Sequence, residues 1–445
     1  MIAAEANKAL NTTKQKLAFS SGNLSVNLLA QAFATYIVFY YVDELGVRPG
    51  LISLAMVIHG LFSAILNPLI GHLSDRTHSR WGRRYPYMLF GVAPLVAIFT
   101  MIWFPIGAGM SLFWYFLITV LVFDAFFVVV VLNYSALFPE MFATMEERTS
   151  VSSWRQVFGI IGMIIGVALP PLIYGKLGWG PMGLIFSVVA LIFFLIMLRG
   201  SKEKPQQTQM SLGFIQAIRY TFANKAFITF VLGSFFVQVT FALLPAGIPF
   251  FSKYVLHEAE GANSILLGAI FISAILLVFV WNKLTRRFGI RITMMTAVVF
   301  YGLALCTFAL VHTLTMAIFT AIGVGAGLSG LLVLLDVMLS EVIDEDELTT
   351  GVRREGMYFG MNGFIVRWGV SLQAVIMGTI LETSGYSAHQ DIQPLAVESG
   401  IRLMLSLVPA ALLLFALLFF FLYPIRSKPQ GSANVGPLNP GSKMQ

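Results

Sequence analysis

Charge is scarce in this chain of 445 residues: Asp, Glu, Lys and Arg make up 11% of it, against roughly 25% in an ordinary soluble domain. With 58% of the residues hydrophobic, a soluble core of ordinary size could not absorb the apolar surface, which excludes a soluble globular protein. Cysteine is almost absent. The one present, Cys306, lies inside an apolar run, ruling out an intramolecular disulfide framework and a cysteine metal cluster. The six histidines show no metal-ligand spacing, and the sequence carries neither a phosphate-binding glycine loop nor a nucleophile motif. No enzyme chemistry, cofactor or metal is therefore expected. The formal net charge of +7 comes without a solvated basic face carrying interleaved aromatics, so nucleic acid is not an expected partner. The polar stretch from Met1 to Lys16 has no signal-peptide core, and the first apolar span is expected to act as its own uncleaved signal.

What the chain has instead is a succession of apolar segments of about 20 residues, the length that crosses ~30 Å of hydrocarbon. A helix is the form that satisfies every backbone donor and acceptor there. Twelve spans are expected, near 17–42, 51–73, 86–105, 111–138, 154–174, 180–198, 226–251, 263–281, 292–311, 315–339, 357–381 and 401–424. The fold class is an all-α polytopic membrane protein. Of the 28 Lys and Arg residues, Arg48, Lys176, Lys253 and Arg402 belong to the loops opposite the N-terminus, and nearly all the others to the N-terminal side. Basic loops favour the cytoplasm, which places both termini there in a multi-pass protein of the cell membrane. The longest internal loop divides the spans six and six: a first bundle over 1–198, a cytoplasmic loop over 199–225, a second bundle over 226–426 and a disordered tail over 427–445. The loop after the second span carries Asp75-Arg76 and Gly82-Arg83-Arg84, and the loop after the eighth echoes it weakly with Arg286-Arg287 and Gly289-Ile290-Arg291.

The polar turn from Gly71 to Pro86 is the most specific motif. Its Gly-xxx-Asp-Arg-xxx-Arg-x-Gly-Arg-Arg order, from Gly71 through Asp75, Arg76, Arg80, Gly82, Arg83 and Arg84, resembles the signature loop of the major facilitator superfamily. That family is built from parallel six-helix repeats around a midplane substrate site. The fuller form, Asn67-Pro68-Leu69-Ile70-Gly71 through Tyr85-Pro86, is similar to the glycoside–pentoside–hexuronide:cation symporters and equally to the sucrose–proton symporters. Phe39 to Gly46, Tyr134 to Glu140 with Trp154-Arg155, and Glu341 to Leu348 with Gly351 to Gly360 resemble the first of these. The resemblance implies two six-helix bundles and alternating access. Asp75 can accept charge-assisted hydrogen bonds from the arginines or from helix-end amides, so Asp75, Arg76, Arg80, Arg83, Arg84, Glu140 and Arg354 are candidate gating residues. The plainer alternative is that the arginines only anchor the loop at the membrane face.

Ionisable residues inside spans are costly and are functional candidates by default. Asp124 stands midway along the fourth span, Arg155 opens the fifth, Asp336 lies near the inner part of the tenth, Arg367 sits in the eleventh and His59 in the second. His59 reads as an interhelical hydrogen bonder, with a proton relay as the alternative, and Asp336 as a capping, pairing or gating residue. The sodium-type relatives place acids where this chain has Ser63, Asn67 and Val131. A sodium site wants hard anionic oxygens, so proton coupling is favoured over sodium. The resemblance to the sucrose–proton symporters implies that Asp124, sixteen residues before Glu140, carries the proton, with Asn67 and Arg367 completing the coupling set. Arg367 stays charged at any working pH and is no titrating base.

The first span is unusually polar, with Asn23, Asn27 and Gln31 one turn apart on one face. Amides that offer both donors and acceptors suit sugar hydroxyls. Asn23, Asn27, Gln238, Asn362 and Gln373 are the amide candidates for the substrate site, the resemblance implies Asn27 and Arg155 as sugar ligands, and Trp368 and Tyr358 are candidates for an aromatic platform. The expected function is cation-coupled, preferably proton-coupled, symport of a sugar or glycoside by a monomer in the bilayer. The alternatives are carriage of a non-sugar solute (an organic anion, drug or lipid) and uncoupled facilitation.

Overall fold

A computed structural model describes residues 12–77, 79–142, 144–201, 203, 224–350, 355–388, 390 and 393–425. Arg354, most of the loop over 199–225 and the tail over 427–445 lie outside the described residues, as do the side chains of Asp75 and Arg367. Twelve helices are long and apolar enough to cross a membrane: α1 (Thr13–Glu44), α2 (Pro49–Ser74), α3 (Tyr85–Ile102), α4 (Met110–Phe138), α5 (Ser150–Leu177), α6 (Trp179–Gly200), α7 (Lys225–Tyr254), α8 (Gly261–Phe288), α9 (Ile290–Leu310), α10 (Leu314–Thr349), α11 (Gly360–Thr383) and α12 (Leu395–Leu422). Among the described residues there is no strand. The protein is a multi-pass membrane protein of the expected all-α class.

Three helices carry breaks that hydropathy alone does not mark. In α5 the regular helix ends at Ala168 and restarts at Pro170, because two successive prolines remove backbone donors from the ladder. Ser406 splits α12 with φ −115° and ψ −83°, and the ring of Pro409 four residues beyond Leu405 forfeits that turn's hydrogen bond. The last turn of α1, Tyr40–Glu44, is a π-helix, a form found often at functional sites. At the other extreme α10 continues regularly past the expected end at 339 through the acidic run to Thr350.

The packing follows a repeat. In the first bundle α1 packs on α5 and α6, α4 on α2 and α3, and α3 on α6; in the second, α7 packs on α11 and α12, α10 on α8 and α9, and α9 on α12. The bundles meet along α2 with α11, α1 with α7, and α5 with α8. Without a hydrophobic drive between helices in lipid, small residues set how closely they approach. A Cβ on Gly162 of α5 would stand 2.3 Å from the Leu24 carbonyl of α1, and one on Gly166 would stand 2.7 Å from that of Leu28. One turn apart, these glycines let α1 lie against α5 backbone to backbone. The central position of α1 shows in its burial, 72% of its most apolar window. Gly162→Val is expected to force the two backbones apart at a cost of about 1–3 kcal/mol, read as a lowered melting temperature and a smaller monodisperse fraction in detergent.

Candidate substrate cavity and gate

A cavity of about 590 Å³ lies between the bundles. Its polar side is made by Asn23 and Asn27 of α1, Gln156 of α5 and Gln238 of α7; Phe271, Ile275 and Val278 of α8 and Leu332 and Val333 of α10 form an apolar wall into which Asp336 is set. A smaller cavity of about 240 Å³ adjoins it, lined by Gln31 and Ala34 and sharing Met163, Gln238, Phe271 and Leu332. The i, i+4, i+8 spacing of Asn23, Asn27 and Gln31 thus runs one polar stripe along both. The amide of Asn23 donates to the Arg155 carbonyl at 2.7 Å and that of Asn27 to the Asn23 carbonyl at 2.9 Å. Because a carbonyl partner must face the nitrogen, these bonds fix each amide's orientation and leave its oxygen free.

The hydrogen bonds that join the bundles gather on the opposite face. The buried carboxylate of Asp43, at the end of α1, accepts from Lys253 Nζ at 2.6 Å, from Tyr386 Oη at 2.5 Å and from Tyr254 Oη. Burial and the neighbouring Asp43 carboxylate push the Tyr386 hydroxyl far above its ordinary value, so it stays a donor. Phe39 meets Phe250 edge-on at 5.0 Å beside this cluster, and Asn263 of α8 donates to Tyr174 of α5 at 3.2 Å. Along α2 and α11, Ser53 donates to the Ala374 carbonyl at 2.8 Å and Ser371 to that of Met56 at 3.0 Å. The bundles are zipped on the face of Asp43, and the cavity lies towards the face of the α2–α3 loop. This gate was not anticipated from the sequence. Its signal was there: Asp43 and Lys253 put opposite charges at corresponding ends of α1 and α7.

Away from the cavity, His59 of α2 stands 3.4 Å from Asp124 of α4, Nε2 to Oδ1. The other ring nitrogen of His59 and the other carboxylate oxygen of Asp124 are buried without a hydrogen-bond partner. Phe33 of α1, 6.0 Å from the imidazole, and Phe123 cover the pair. Asn67 spends its amide on the Ser63 carbonyl one turn back, at 2.7 Å.

At the α2–α3 loop, Arg83 and Arg84 both donate to Glu140 at 2.8 Å. Glu203 accepts from the backbone N–H groups of Arg83, Arg84 and Tyr85 at 2.9–3.1 Å, satisfying donors that the first turn of α3 leaves open. Arg83, Arg84 and Glu140 therefore come together, within the first bundle and the loop that follows it. Arg80 lies 4.8 Å over Trp81 instead, and Arg76 is exposed. Glu203 was missed, since nothing in the run Lys202-Glu203-Lys204 marks its partner.

The remaining expected residues are dispersed. The guanidinium of Arg155 lies over the rings of Tyr134 and Phe138 at 4.8 and 4.9 Å, and only its carbonyl touches the polar stripe. Gln373 is buried and donates to the Met377 sulfur at 3.2 Å. Asn362 holds a buried, unpartnered amide oxygen, and Trp368 is half-buried. Arg155, Asn362, Trp368 and Gln373 are not among the cavity-lining residues, whereas Gln156, passed over beside Arg155, is one. Tyr358 is fully buried against Phe227 with ring centroids 5.1 Å apart, a packing residue rather than a platform.

The cavity lies between repeated bundles that are closed on one face, and comparison with known proteins gives the family. The chain belongs to the MFS/sugar transport protein family, whose model matches residues 18–427. It is 26% identical to the isoprimeverose transporter of Lactiplantibacillus pentosus, over 93% of this chain and 90% of that protein. It is 24% identical to the sodium-dependent lysophosphatidylcholine symporter 1 of Gallus gallus, over 92% and 86%. Among solved structures it superposes on a bacterial homologue of the human lysosomal transporter Spinster with a TM-score of 0.69, at 15% identity and covering 93% and 97% of the two chains. The nucleoside transporter NupG gives 0.68 at 18%, covering 92% and 100%. The family resemblance carried by the polar loop is borne out, and the family and these relatives are transporters.

Asp43→Asn removes the charge that three donors share. Hydrogen bonds to a charged group are worth about 1.5–3 kcal/mol, so the substitution should move the open–closed equilibrium of this face at least tenfold. The check is thiol labelling from that side of Ala34→Cys in a Cys306→Ser background, slow with Asp43 present and at least tenfold faster without it.

Proposed function

We propose that the protein is a proton-coupled symporter of a sugar or glycoside in the cell membrane, with both termini cytoplasmic and the cavity opening inward in this state. The observation that carries the reading is the buried His59–Asp124 pair in a helix bundle where sodium-type acids are replaced by Ser63 and Asn67. Together the two side chains can hold one proton and be neutral overall; without it they hold a net negative charge away from water. An unpaired buried charge costs several kcal/mol, so closure around the pair is easiest when it is protonated. Proton loading thereby licenses reorientation, and proton loss to the alkaline side favours the open state from which substrate leaves. The amide stripe of α1 supplies hydrogen bonds to hydroxyls, and the isoprimeverose transporter is the relative whose name fits a glycoside cargo. The lysophosphatidylcholine symporter favours a second reading, a lipid-like cargo against the apolar wall of α8 and α10. Neutral oxygens at Ser63 and Asn67 are a poor fit to its sodium dependence.

In proteoliposomes, Asp124→Asn should abolish proton-driven accumulation while counterflow exchange stays within about threefold of the parent. His59→Gln should weaken proton-driven accumulation at least about threefold, because the pair loses one of the two groups that hold the proton. Accumulation by Asp124→Asn equal to the parent's, or driven by a sodium gradient alone, would overturn the assignment.

A further inference from the structure

The cavity has an electrical asymmetry that neither the fold nor the coupling pair requires. Asp336 is exposed into it from α10 and among the described residues makes no ion pair or side-chain hydrogen bond, while no Lys or Arg is among the cavity's described lining residues. Opposite it, the Asn23 and Asn27 amides have each committed a donor to a backbone carbonyl and keep a free oxygen. Gln156 and Gln238 complete the polar lining. Among the described residues the site thus presents a carboxylate without a counter-charge and two oriented amide oxygens, set beside the aliphatic face of α8 and α10. Apolar walls lower the local dielectric and strengthen a charge's reach. A carboxylate-bearing solute placed here would meet Asp336 with like charge, whereas an ammonium group would supply the counter-charge it lacks.

We propose that the cavity selects a sugar or glycoside bearing a protonated amine, with Asp336 as the residue that binds the ammonium group and rejects anionic sugars. The hydroxyls of the same ring meet the Asn23 and Asn27 oxygens, and the apolar wall takes the ring's C–H face or an apolar aglycone. This rests on the sugar reading above and narrows it. It also disfavours an organic anion as cargo.

The test is binding to the purified full-length protein in nanodiscs near neutral pH, using glucosamine, glucose, N-acetylglucosamine and glucuronate as probes. Glucosamine should bind at least tenfold tighter than glucose and N-acetylglucosamine, and glucuronate at least tenfold more weakly than glucose. In Asp336→Asn the glucosamine-to-glucose ratio should fall to about one, while Asp336→Glu should retain the preference. Equal affinities of the parent for glucose and glucosamine would overturn this inference and leave the sugar reading standing, as would a preference that survives Asp336→Asn. Binding of none of the four sugars would overturn both.

Discussion

Lipid cannot hydrogen-bond. Every polar group carried into the membrane by this chain must therefore find a partner inside the protein or face a water-filled space. That constraint organises the structure more than any single contact does. It winds each span into a helix and brings α1 against α5 at glycines. It also sorts the few polar side chains into pairs and cavity walls. Asn67, a neutral amide, turns back on the Ser63 carbonyl. Gln373 settles for a sulfur. Some atoms escape this sorting: the second ring nitrogen of His59, the second carboxylate oxygen of Asp124 and the amide oxygen of Asn362 are buried without a hydrogen-bond partner, and Asp336 stands exposed in the cavity wall.

Alternating access requires the two faces to be held by contacts that cannot all be made at once. Here one face carries the Asp43 cluster and the serine-to-carbonyl bonds of α2 with α11, and the bundles are closed there. On the other face Arg83 and Arg84 of the α2–α3 loop pair with Glu140, and their backbone N–H groups donate to Glu203. The π-turn Tyr40–Glu44 at the end of α1 carries Asp43 into the cluster with Lys253, Tyr254 and Tyr386.

Much of this was legible in the sequence, and the limits have physical causes. Helix number, fold class and family followed from run lengths and from one polar loop, because hydrocarbon thickness leaves little choice. Asn23, Asn27 and Gln238, expected as substrate ligands, do line the cavity, and the first two share a face through helical periodicity, which is a property of neighbouring residues. Arg155 and Gln156 were harder to separate. They are adjacent in sequence, yet a helix turns about 100° between them, so one covers aromatic rings while the other faces the cavity. Asp336 was read as a capping, pairing or gating residue near a helix end, but α10 runs on well past it and leaves its carboxylate in the cavity wall.

By itself the sequence determined that this is a twelve-helix membrane protein of a transporter family and that Asp124 is one of the few ionisable residues within its spans. It did so because hydrophobicity, helical period and local motifs are written in contiguous residues. Only the tertiary structure decided who meets whom: His59 with Asp124, Glu203 with the start of α3, and Asp43 with Lys253 across 210 residues of chain. Those pairings depend on the rotation and depth at which separate helices pack. That geometry is set by side-chain volumes distributed over the whole bundle, and no local stretch of sequence contains it.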